Sequence, residues 1–350
     1  MISVVRALAI GAAGGALAFV IGVPAPWLAG SLVATIIAVY SNQNLELPDW
    51  LRTLAFILLG IQTGSVVNAD TLYRATQWPL SIVCMSITVG FIVWACMLYY
   101  EGIRNWDRAT SFFSSLPGAL SMVILLAGSS GADMRRVTIS QCVRLFFLIA
   151  ALPVVIVFIS PASDVAMSTP VAANVLEIIV LVVASAAAGL LFERLRVPAG
   201  LILGAALTSA ALGLAGVVHG GAPDSILVPA NIILGVMIAL RFKGITLPEL
   251  RTALGDGFAG FAIAMIIAMV GALLTSFVAG LPLALTLLAF APGGLEAMTI
   301  MAFALNLDPA YVAAHQVARY IGLVLLMPAV TSFVLHRGVA VDPDVNVEED

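Results

Sequence analysis

Residues 292–319 read PGGLEAMTIMAFALNLDPAYVAAHQVAR, and residues 117–144, 175 positions earlier, read PGALSMVILLAGSSGADMRRVTISQCVR. When 117–153 is aligned with 292–328 without a gap, ten of 37 positions are identical. Several of the identical residues are polar, which a bias toward apolar composition does not explain. Self-similarity at a fixed offset is the sequence signature of a repeated structural unit. The sequence therefore predicts an internal duplication.

The polar identities fall at the start and in the middle of the apolar run that follows each Pro-Gly. They are the pairs Asp133 and Asp308, Gln141 and Gln316, and Arg144 and Arg319. A glutamine and an arginine three positions apart share one face of a helix. An aspartate that opens a helix is more typical of an N-cap than of a ligand-binding residue.

The composition excludes a soluble globular protein. Hydrophobic residues make up 62% of the chain and charged residues 10%, whereas globular domains carry about 25% charged residues. A net charge of -4 without a basic cluster argues against nucleic-acid binding, which requires neutralisation of phosphates. Three cysteines without paired spacing predict neither a disulfide framework nor a metal site. We expect no cofactor.

Twelve apolar segments have about the length that a membrane-spanning helix needs. They lie at 2–21, 25–41, 50–67, 77–99, 106–130, 133–159, 172–192, 199–218, 225–242, 252–278, 281–305 and 308–335. These segments divide the chain into a first repeat at 1–160, a linker at 161–171, a second repeat at 172–337 and an acidic tail at 338–350.

The distribution of cations favours ten crossings over twelve. If all twelve segments cross, the thirteen cations outside the apolar runs divide five to eight. If 106–130 and 281–305 return to the side they entered from, twelve of the thirteen are cytoplasmic and only Arg74 is outside, as the positive-inside rule expects. The sequence thus predicts an all-α, multi-pass protein of the bacterial inner membrane, with two inverted-topology repeats of five transmembrane helices and both termini cytoplasmic.

Each of these two segments carries a Pro-Gly in its middle, so its arms are too short to span the bilayer. We name residues 106–130 and 281–305 the first and second Pro-Gly segments. Each is a re-entrant hairpin or a broken crossing helix, and a simple proline kink is the alternative. Opposed broken or re-entrant elements whose tips meet at the midplane are typical of secondary transporters.

Ionisable groups inside a membrane are costly and are functional candidates by default. The predicted substrate-binding residues share a position at the middle of the membrane or at a Pro-Gly tip. They are Arg144, Arg319, Gln141, Gln316, Gly118, Gly293, Gly294 and Ser121. The guanidinium and amide groups are expected to hold an anionic solute, and free backbone N–H groups at the tips are expected to assist them.

Glu296 and His315 are the predicted coupling groups for protons or sodium. A buried carboxyl or imidazole can load and unload a proton near neutral pH. The alternative is a permanent structural ion pair between Glu296 and Arg319. Gln62, Thr63 and Ser65 either line the same cavity or bond their own helix backbone.

Two motifs, PGAL at 117–120 and APGGLE at 291–296, are each followed by Gln-x-x-Arg. In these motifs the chain resembles the bacterial AbrB membrane-protein family, whose members carry the duplicated unit. The resemblance covers nearly the whole chain and implies an inverted-repeat transporter related to sodium/proton antiporters and to bile-acid and citrate symporters. It implies no particular substrate. Names used for family members include ammonia monooxygenase and AbrB family transcriptional regulator.

The residues argue against both names. A monooxygenase needs a metal and its ligands, and the sequence has no His/Asp/Glu cluster with ligand spacing. A transcription factor needs a basic reading element, and the longest hydrophilic piece is the acidic tail. We expect no enzyme, and the partners are the lipid bilayer and a small solute or ion; a homo-oligomer is compatible with the apolar surface. The alternative to transport is a membrane sensor that affects gene expression indirectly.

Overall fold

The computed structural model describes residues 2–41, 43–117, 123, 127, 130–159, 174–195, 197, 199–219 and 223–336. Within these ranges all the regular secondary structure is α-helical. The helices are α1 (Ile2–Val20), α2 (Pro26–Tyr40), α3 (Asp49–Ser65), α4 (Ala69–Ala75), α5 (Trp78–Gly102), α6 (Arg108–Ser115), α7 (Met134–Ile159), α8 (Val175–Arg194), α9 (Gly200–Leu214), α10 (Asp224–Leu240), α11 (Leu247–Ala279), α12 (Leu283–Phe290), α13 (Leu295–Ala304) and α14 (Pro309–His336). Five of them, α1, α5, α7, α8 and α11, are long and apolar enough to cross a membrane. These features are those of a polytopic membrane protein.

The helices pack into two bundles. The first bundle combines α1–α3 with α8–α10, and the second combines α5–α7 with α11–α14. Helix α3 joins the bundles because it also contacts α13 and α14. The first three helices of each half of the chain thus lie together, and so do the later helices of each half.

Small residues bring the backbones of the first bundle close together. A Cβ on Gly14 of α1 would collide with the carbonyl of Gly30 on α2, and one on Gly204 of α9 would collide with the carbonyl of Ala188 on α8. A Cβ on Gly60 of α3 would lie 2.5 Å from the carbonyl oxygen of Ile202. Such contacts replace the hydrophobic driving force that helices lack in lipid.

Helices α5 and α11 run antiparallel along the second bundle. Thr88 near the middle of α5 packs against Gly271, the Cys96 Sγ lies 3.6 Å from the Gly260 carbonyl oxygen, and Arg104 after the helix donates to Asp256 at 3.0 Å. We call the end marked by Arg104 the basic end and the opposite end the far end.

The first Pro-Gly segment begins and ends at the basic end. Helix α7 starts there because Arg135 donates to Glu249, in the first turn of α11, at 2.6 Å. The Asp133 amide donates to the Thr110 hydroxyl at 2.8 Å, so α6 and α7 start side by side. The chain between α5 and α7 therefore returns to the end from which it came.

The second Pro-Gly segment begins and ends at the far end. The Thr286 hydroxyl of α12 lies 3.3 Å from the Ala272 carbonyl oxygen near the end of α11. Helix α14 starts beside the start of α5, because the rings of Trp78 and Tyr311 lie 5.7 Å apart. Between α12 and α14 the helix is interrupted at residues 291–294, and the chain continues as α13. The two segments thus enter the bundle from opposite ends.

The cations gather at the basic end. Lys243, just after α10, donates to the Leu45 carbonyl after α2 at 3.2 Å, and Ser3 of α1 bonds Glu46 in the same loop. Helix α9 runs parallel to α3, because Gly60 meets Ala205 and, one turn later in both helices, Gly64 meets Ser209. The cations at this end are Arg6, Arg52, Arg104, Arg108, Arg135, Arg136, Arg194, Arg241, Lys243 and Arg251. Arg74 lies at the far end, and residues 196 and 337 lie outside the described ranges.

Helices α11 and α4 depart most clearly from the sequence prediction. Helix α11 begins at Leu247, five residues before the predicted start, because Thr246 and Glu249 form a capping box ahead of the apolar run. Helix α4, which Asn68 caps through its side chain, follows α3 where no helix was predicted. Neither difference changes the number of predicted apolar segments.

Candidate functional site

Gln141 and Arg144 of α7 bind the carbonyl end of α6. The Gln141 amide donates to the carbonyl oxygens of Phe113 at 2.9 Å and Leu116 at 3.0 Å. Arg144 donates to the carbonyl oxygens of Leu116 at 2.7 Å and Ser114 at 3.4 Å, and also to the Gln141 Oε1. The predicted pair therefore acts as one unit.

Gln316 and Arg319 of α14 bind the carbonyl end of α12 in the same way. The Gln316 amide donates to the Ala289 carbonyl oxygen at 3.1 Å. Arg319 donates to the Ala291 carbonyl oxygen at 2.7 Å, to the Gly293 carbonyl oxygen and to the Gln316 Oε1. Each of the two pairs lies on the helix that directly follows its own Pro-Gly segment.

The physical reason is the free carbonyls at the end of a short helix. The last carbonyl groups of a helix have no partner within the helix and carry partial negative charge. In an apolar interior without water, such groups are costly unless they are bonded. A guanidinium offers several donors in a fixed plane, so one arginine can satisfy two carbonyls and hold a glutamine in place.

Both guanidiniums lie deep in the second bundle. Arg144 and Arg319 are 6% and 5% exposed, and Gln141 and Gln316 are buried as well. Each arginine is the eleventh residue of its helix, about 16 Å from the helix start at 1.5 Å per residue. The two positive charges also repel each other electrostatically. No carboxylate among the described side chains pairs with either arginine.

The glycines at the second tip have different surroundings. A Cβ on Gly293 would lie 2.5 Å from the Met298 Cε and 2.9 Å from the Leu148 Cδ2, so the tip packs closely against α13 and α7. Gly294 is the N-cap of α13 and supplies no side-chain cap. The first turn of α13 therefore starts at the tip, close to the Gly293 carbonyl that Arg319 binds.

Three predicted residues cannot be placed in this site. Gly118 and Ser121 lie outside the described residues. Glu296 is the second residue of α13, but its side chain is also outside the described part. The coupling role predicted for Glu296 and its alternative, a structural ion pair with Arg319, consequently both stay open.

His315 is completely buried and has a partner that sequence reasoning missed. Its Nε2 lies 2.8 Å from the Ser81 hydroxyl on α5, and its Nδ1 lies 2.8 Å from the Tyr311 carbonyl oxygen. The imidazole also faces the Phe290 ring at the end of α12, with ring centroids 6.4 Å apart. Ser81 and His315 are 234 residues apart in the chain, and no sequence motif links them.

The other polar candidates bond their own helices. Thr63 donates to the Leu59 carbonyl and Ser65 to the Gln62 carbonyl, as one of the two sequence interpretations expected. Asp133 accepts hydrogen bonds from the backbone amides of Arg135 and Arg136. Asp308 likewise accepts from the amides of Ala310 and Tyr311. The aspartates are therefore caps of α7 and α14, as predicted.

Comparison with known proteins identifies the family. The family model described as "Transition state regulatory protein AbrB" matches residues 6–335. The chain belongs to the AbrB family. The match spans both Pro-Gly segments and both Gln–Arg pairs, so the predicted resemblance is confirmed.

Two AbrB relatives match along most of their length. "Putative regulator AbrB" of Escherichia coli (strain K12) is 29% identical over 326 residues, which cover 89% of this chain and 90% of the relative. "Uncharacterized protein YhjN" of Bacillus subtilis (strain 168) is 26% identical over 355 residues, with 92% and 90% covered. Both matches thus cover about nine tenths of this chain and of the relative.

Proposed function

We propose that the chain is a secondary transporter of the bacterial inner membrane that moves a small anionic organic solute by alternating access. One observation carries the proposal. Two Pro-Gly segments enter the second bundle from opposite ends, and each tip is held by a buried Gln–Arg pair. Non-helical backbone at membrane depth is tolerated where it is covered by protein or lines a cavity, and transporters place their sites there. Under this proposal the chain catalyses no chemical reaction.

The proposed topology has two inverted repeats of five transmembrane helices, each with a re-entrant Pro-Gly segment. The positive-inside rule assigns the basic end to the cytoplasm. Helix α1 begins and α14 ends at that end, so both termini are cytoplasmic. A side chain that points from one tip towards the other then lies near the middle of the membrane.

The anionic nature of the solute follows from charge balance. Arg144 and Arg319 place two positive charges in an apolar interior, and buried charges are strongly destabilising unless they are neutralised. The carbonyl groups that they bind offset this cost only in part, because they carry partial charges. A bound carboxylate or similar anion supplies the negative charge that is still needed to neutralise the two guanidinium groups. The peptide N–H groups at the start of α13 add donors from the second tip.

Coupling is assigned to Glu296 and His315. Glu296 follows the second tip directly, and His315 lies one turn before Arg319 on α14. Either group gains or loses a proton as its surroundings change, and the carboxylate is also able to bind sodium. The driving ion is thus a proton or sodium.

The decisive experiment is flux through the purified protein in liposomes. Candidate solutes are first found by thermal shift against organic acids, because a ligand that binds the folded state raises its stability. We expect Arg319→Lys, which keeps the charge and loses the planar fork, to reduce uptake at least tenfold, and Glu296→Gln to remove its ion dependence. Arg52→Lys on the surface of α3 is the matched control. Full flux in both site variants would contradict the site assignment.

The topology is tested separately with single cysteines in a variant that lacks Cys84, Cys96 and Cys142. A cysteine beside Arg135 should be protected from an impermeant thiol reagent in whole cells, and one beside Arg74 should react. Reaction at both positions would overturn the inverted arrangement.

A membrane sensor is the second candidate, and the family description and the name of the Escherichia coli relative, both of which refer to regulation, favour it. A sensor would bind the same anion and pass the signal to a partner. It would show saturable binding in the thermal-shift assay without solute flux in liposomes. The two candidates are therefore separated by the same preparation.

A further inference from the structure

His315 is enclosed by groups that hold its ring in one orientation. The imidazole and the Ser81 side chain are both fully buried. The Tyr311 ring lies with its centroid 4.0 Å from that of the imidazole, and the Trp78 ring lies 6.4 Å away. A histidine held this way between α5 and α14 has fixed hydrogen-bond partners, so its proton content can be worked out from them.

The contacts determine which nitrogen carries the hydrogen of the neutral ring. The Tyr311 carbonyl oxygen, 2.8 Å from Nδ1, only accepts hydrogen bonds. Nδ1 therefore carries a hydrogen in every protonation state. In the neutral ring Nε2 is then an acceptor, and its partner at 2.8 Å is the Ser81 hydroxyl. The serine must donate to it.

The Ser81 hydroxyl can also donate to a second acceptor, which leaves its oxygen free to accept a hydrogen bond from a protonated ring. Its hydroxyl oxygen lies 2.9 Å from the Trp78 carbonyl oxygen, one turn earlier in α5. When a proton is added to Nε2, the ring donates to the serine oxygen, and the serine turns its own hydrogen to Trp78. The added proton stays on Nε2 and the serine keeps its hydrogen. Both states are fully hydrogen-bonded, and the Tyr311 face attracts the positive ring.

The surrounding ionisable groups are few. On α5 the nearest is Cys84, which lies one turn after Ser81, and on α14 they are Tyr311 and Arg319. Asp308 precedes α14, Glu296 is the acid of α13, and Glu101 of α5 lies at the opposite, basic end of that helix. Helix α12, which presents Phe290, contains no ionisable residue. Arg319 opposes a charge on His315, so an anion beside Arg319 would favour protonation.

We propose that His315 and Ser81 form a proton-binding site between α5 and α14, with Ser81 as the group that switches between donor and acceptor. The site lies between the far end and the second tip, since Trp78 is near that end and Phe290 is near the tip. If the proposed transport function holds, the proton is the coupled ion. Binding of the anionic solute and binding of the proton then each raise the affinity for the other.

The experiment reads the imidazole nitrogens directly by nuclear magnetic resonance of full-length protein labelled with ¹⁵N-histidine. The chain has three histidines, and His219→Asn with His336→Asn leaves the signal of His315 alone. We expect the hydrogen of the neutral ring on Nδ1 and a second proton on Nε2 as the pH falls from about 8 to about 5.

Ser81→Ala should weaken proton binding about tenfold, because both states of the ring lose a hydrogen bond to Ser81 and the bond of the charged ring is the stronger of the two. Ser81→Thr should restore it. Ser86→Ala is the matched control, since the Ser86 hydroxyl bonds the Ile82 carbonyl on the exposed side of the same helix, and it should titrate as the unchanged protein does.

A neutral ring with its hydrogen on Nε2, a ring that stays neutral down to about pH 5, or unchanged titration in Ser81→Ala would overturn the proton site. If Ser81→Ala does not fold, the tautomer of the unchanged protein still decides. The measurement needs no solute. Proton binding without any solute flux would refute transport alone, whereas flux with the same pH profile in Ser81→Ala would refute the coupling role.

Discussion

The two Pro-Gly segments are held alike at their tips and differently at their mouths, where they meet the bundle surface. At each tip a Gln–Arg pair binds the carbonyl end of the first arm. At the basic end the mouth carries ion pairs, such as Arg104 with Asp256 and Arg135 with Glu249. At the far end it carries the half-buried Trp78, and the buried rings of Tyr311 and His315 lie behind it. The tips are alike because any interrupted helix in an apolar interior needs donors for its free carbonyl groups. The mouths differ because one is held by ion pairs and the other by aromatic rings.

The largest expected effect tests the likeness of the tips. Arg144→Ala and Arg319→Ala should each lower the free energy of unfolding by about 3–5 kcal/mol, because each deprives two buried carbonyls and a glutamine oxygen of a donor, at about 1–3 kcal/mol for each unsatisfied group, and this loss exceeds the gain from removing a buried charge. The measurement is denaturant unfolding in detergent, with Arg52→Ala on the surface of α3 as control. A loss of stability in one variant and none in the other would show that the two tips are not held alike.

The two glutamines should differ in how much stability is lost when each is replaced, so they test how alike the two tips are. Gln141 donates to two carbonyls and Gln316 to one. Each glutamine also accepts a hydrogen bond from its arginine, so Gln141→Leu should cost about 3 kcal/mol and Gln316→Leu about 2 kcal/mol, at roughly 1 kcal/mol for each hydrogen bond. The same unfolding assay measures both. A larger loss for Gln316→Leu would mean that this amide has a further role, such as binding the solute.

Tyr311→Phe tests the far mouth and should stabilise the protein. The Tyr311 hydroxyl is buried and approaches the Ser81 side chain, but it makes no hydrogen bond of good geometry with the described residues, and an unsatisfied buried hydroxyl costs about 1 kcal/mol or more. We expect a gain of about 1 kcal/mol that is independent of salt. A loss of stability would show that the hydroxyl has a partner, such as bound water.

The smallest effect is expected at the basic mouth. Arg135 and Glu249 form an exposed pair, and such pairs contribute little and are screened by salt. Arg135→Gln should lower stability slightly at low salt and not at all at about 0.5 M salt. Arg136→Gln, which loses the exposed pair with Asp133, is the comparison variant. A loss that persists at high salt would show that the two mouths are held by similar forces.

The segments, their breaks and the Gln–Arg pairs could be predicted from the sequence, because apolar runs, Pro-Gly and polar residues in apolar surroundings are local signals. The partners of the arginines could not. Arg144 and Arg319 bind backbone carbonyls, and every residue has a carbonyl, so no side chain marks the acceptor. The Ser81–His315 contact was missed for the opposite reason, since it joins two common residues across 234 positions.

The start of α11 was within reach of the sequence. Thr246 and Glu249 have capping-box spacing with Pro248 between them, but hydropathy alone placed the start at residue 252. Helix α4 was harder to predict, because its seven residues are too few to show a hydrophobic period. Capping signals therefore deserve the same weight as apolar length when the ends of membrane helices are assigned.

The shortness of the arms also determines how the chain can be inserted during synthesis. Helices α12 and α13 have 8 and 10 residues, about 12 and 15 Å, so neither is long enough to partition into lipid as a separate unit. Helix α14 carries Arg319, whose insertion alone costs about 3 kcal/mol. The free carbonyls of the arm and the unpaired guanidinium offset each other only when they enter together. We therefore expect the short arms to enter the membrane only together with the long helix that follows them, α12 and α13 with α14, and α6 with α7.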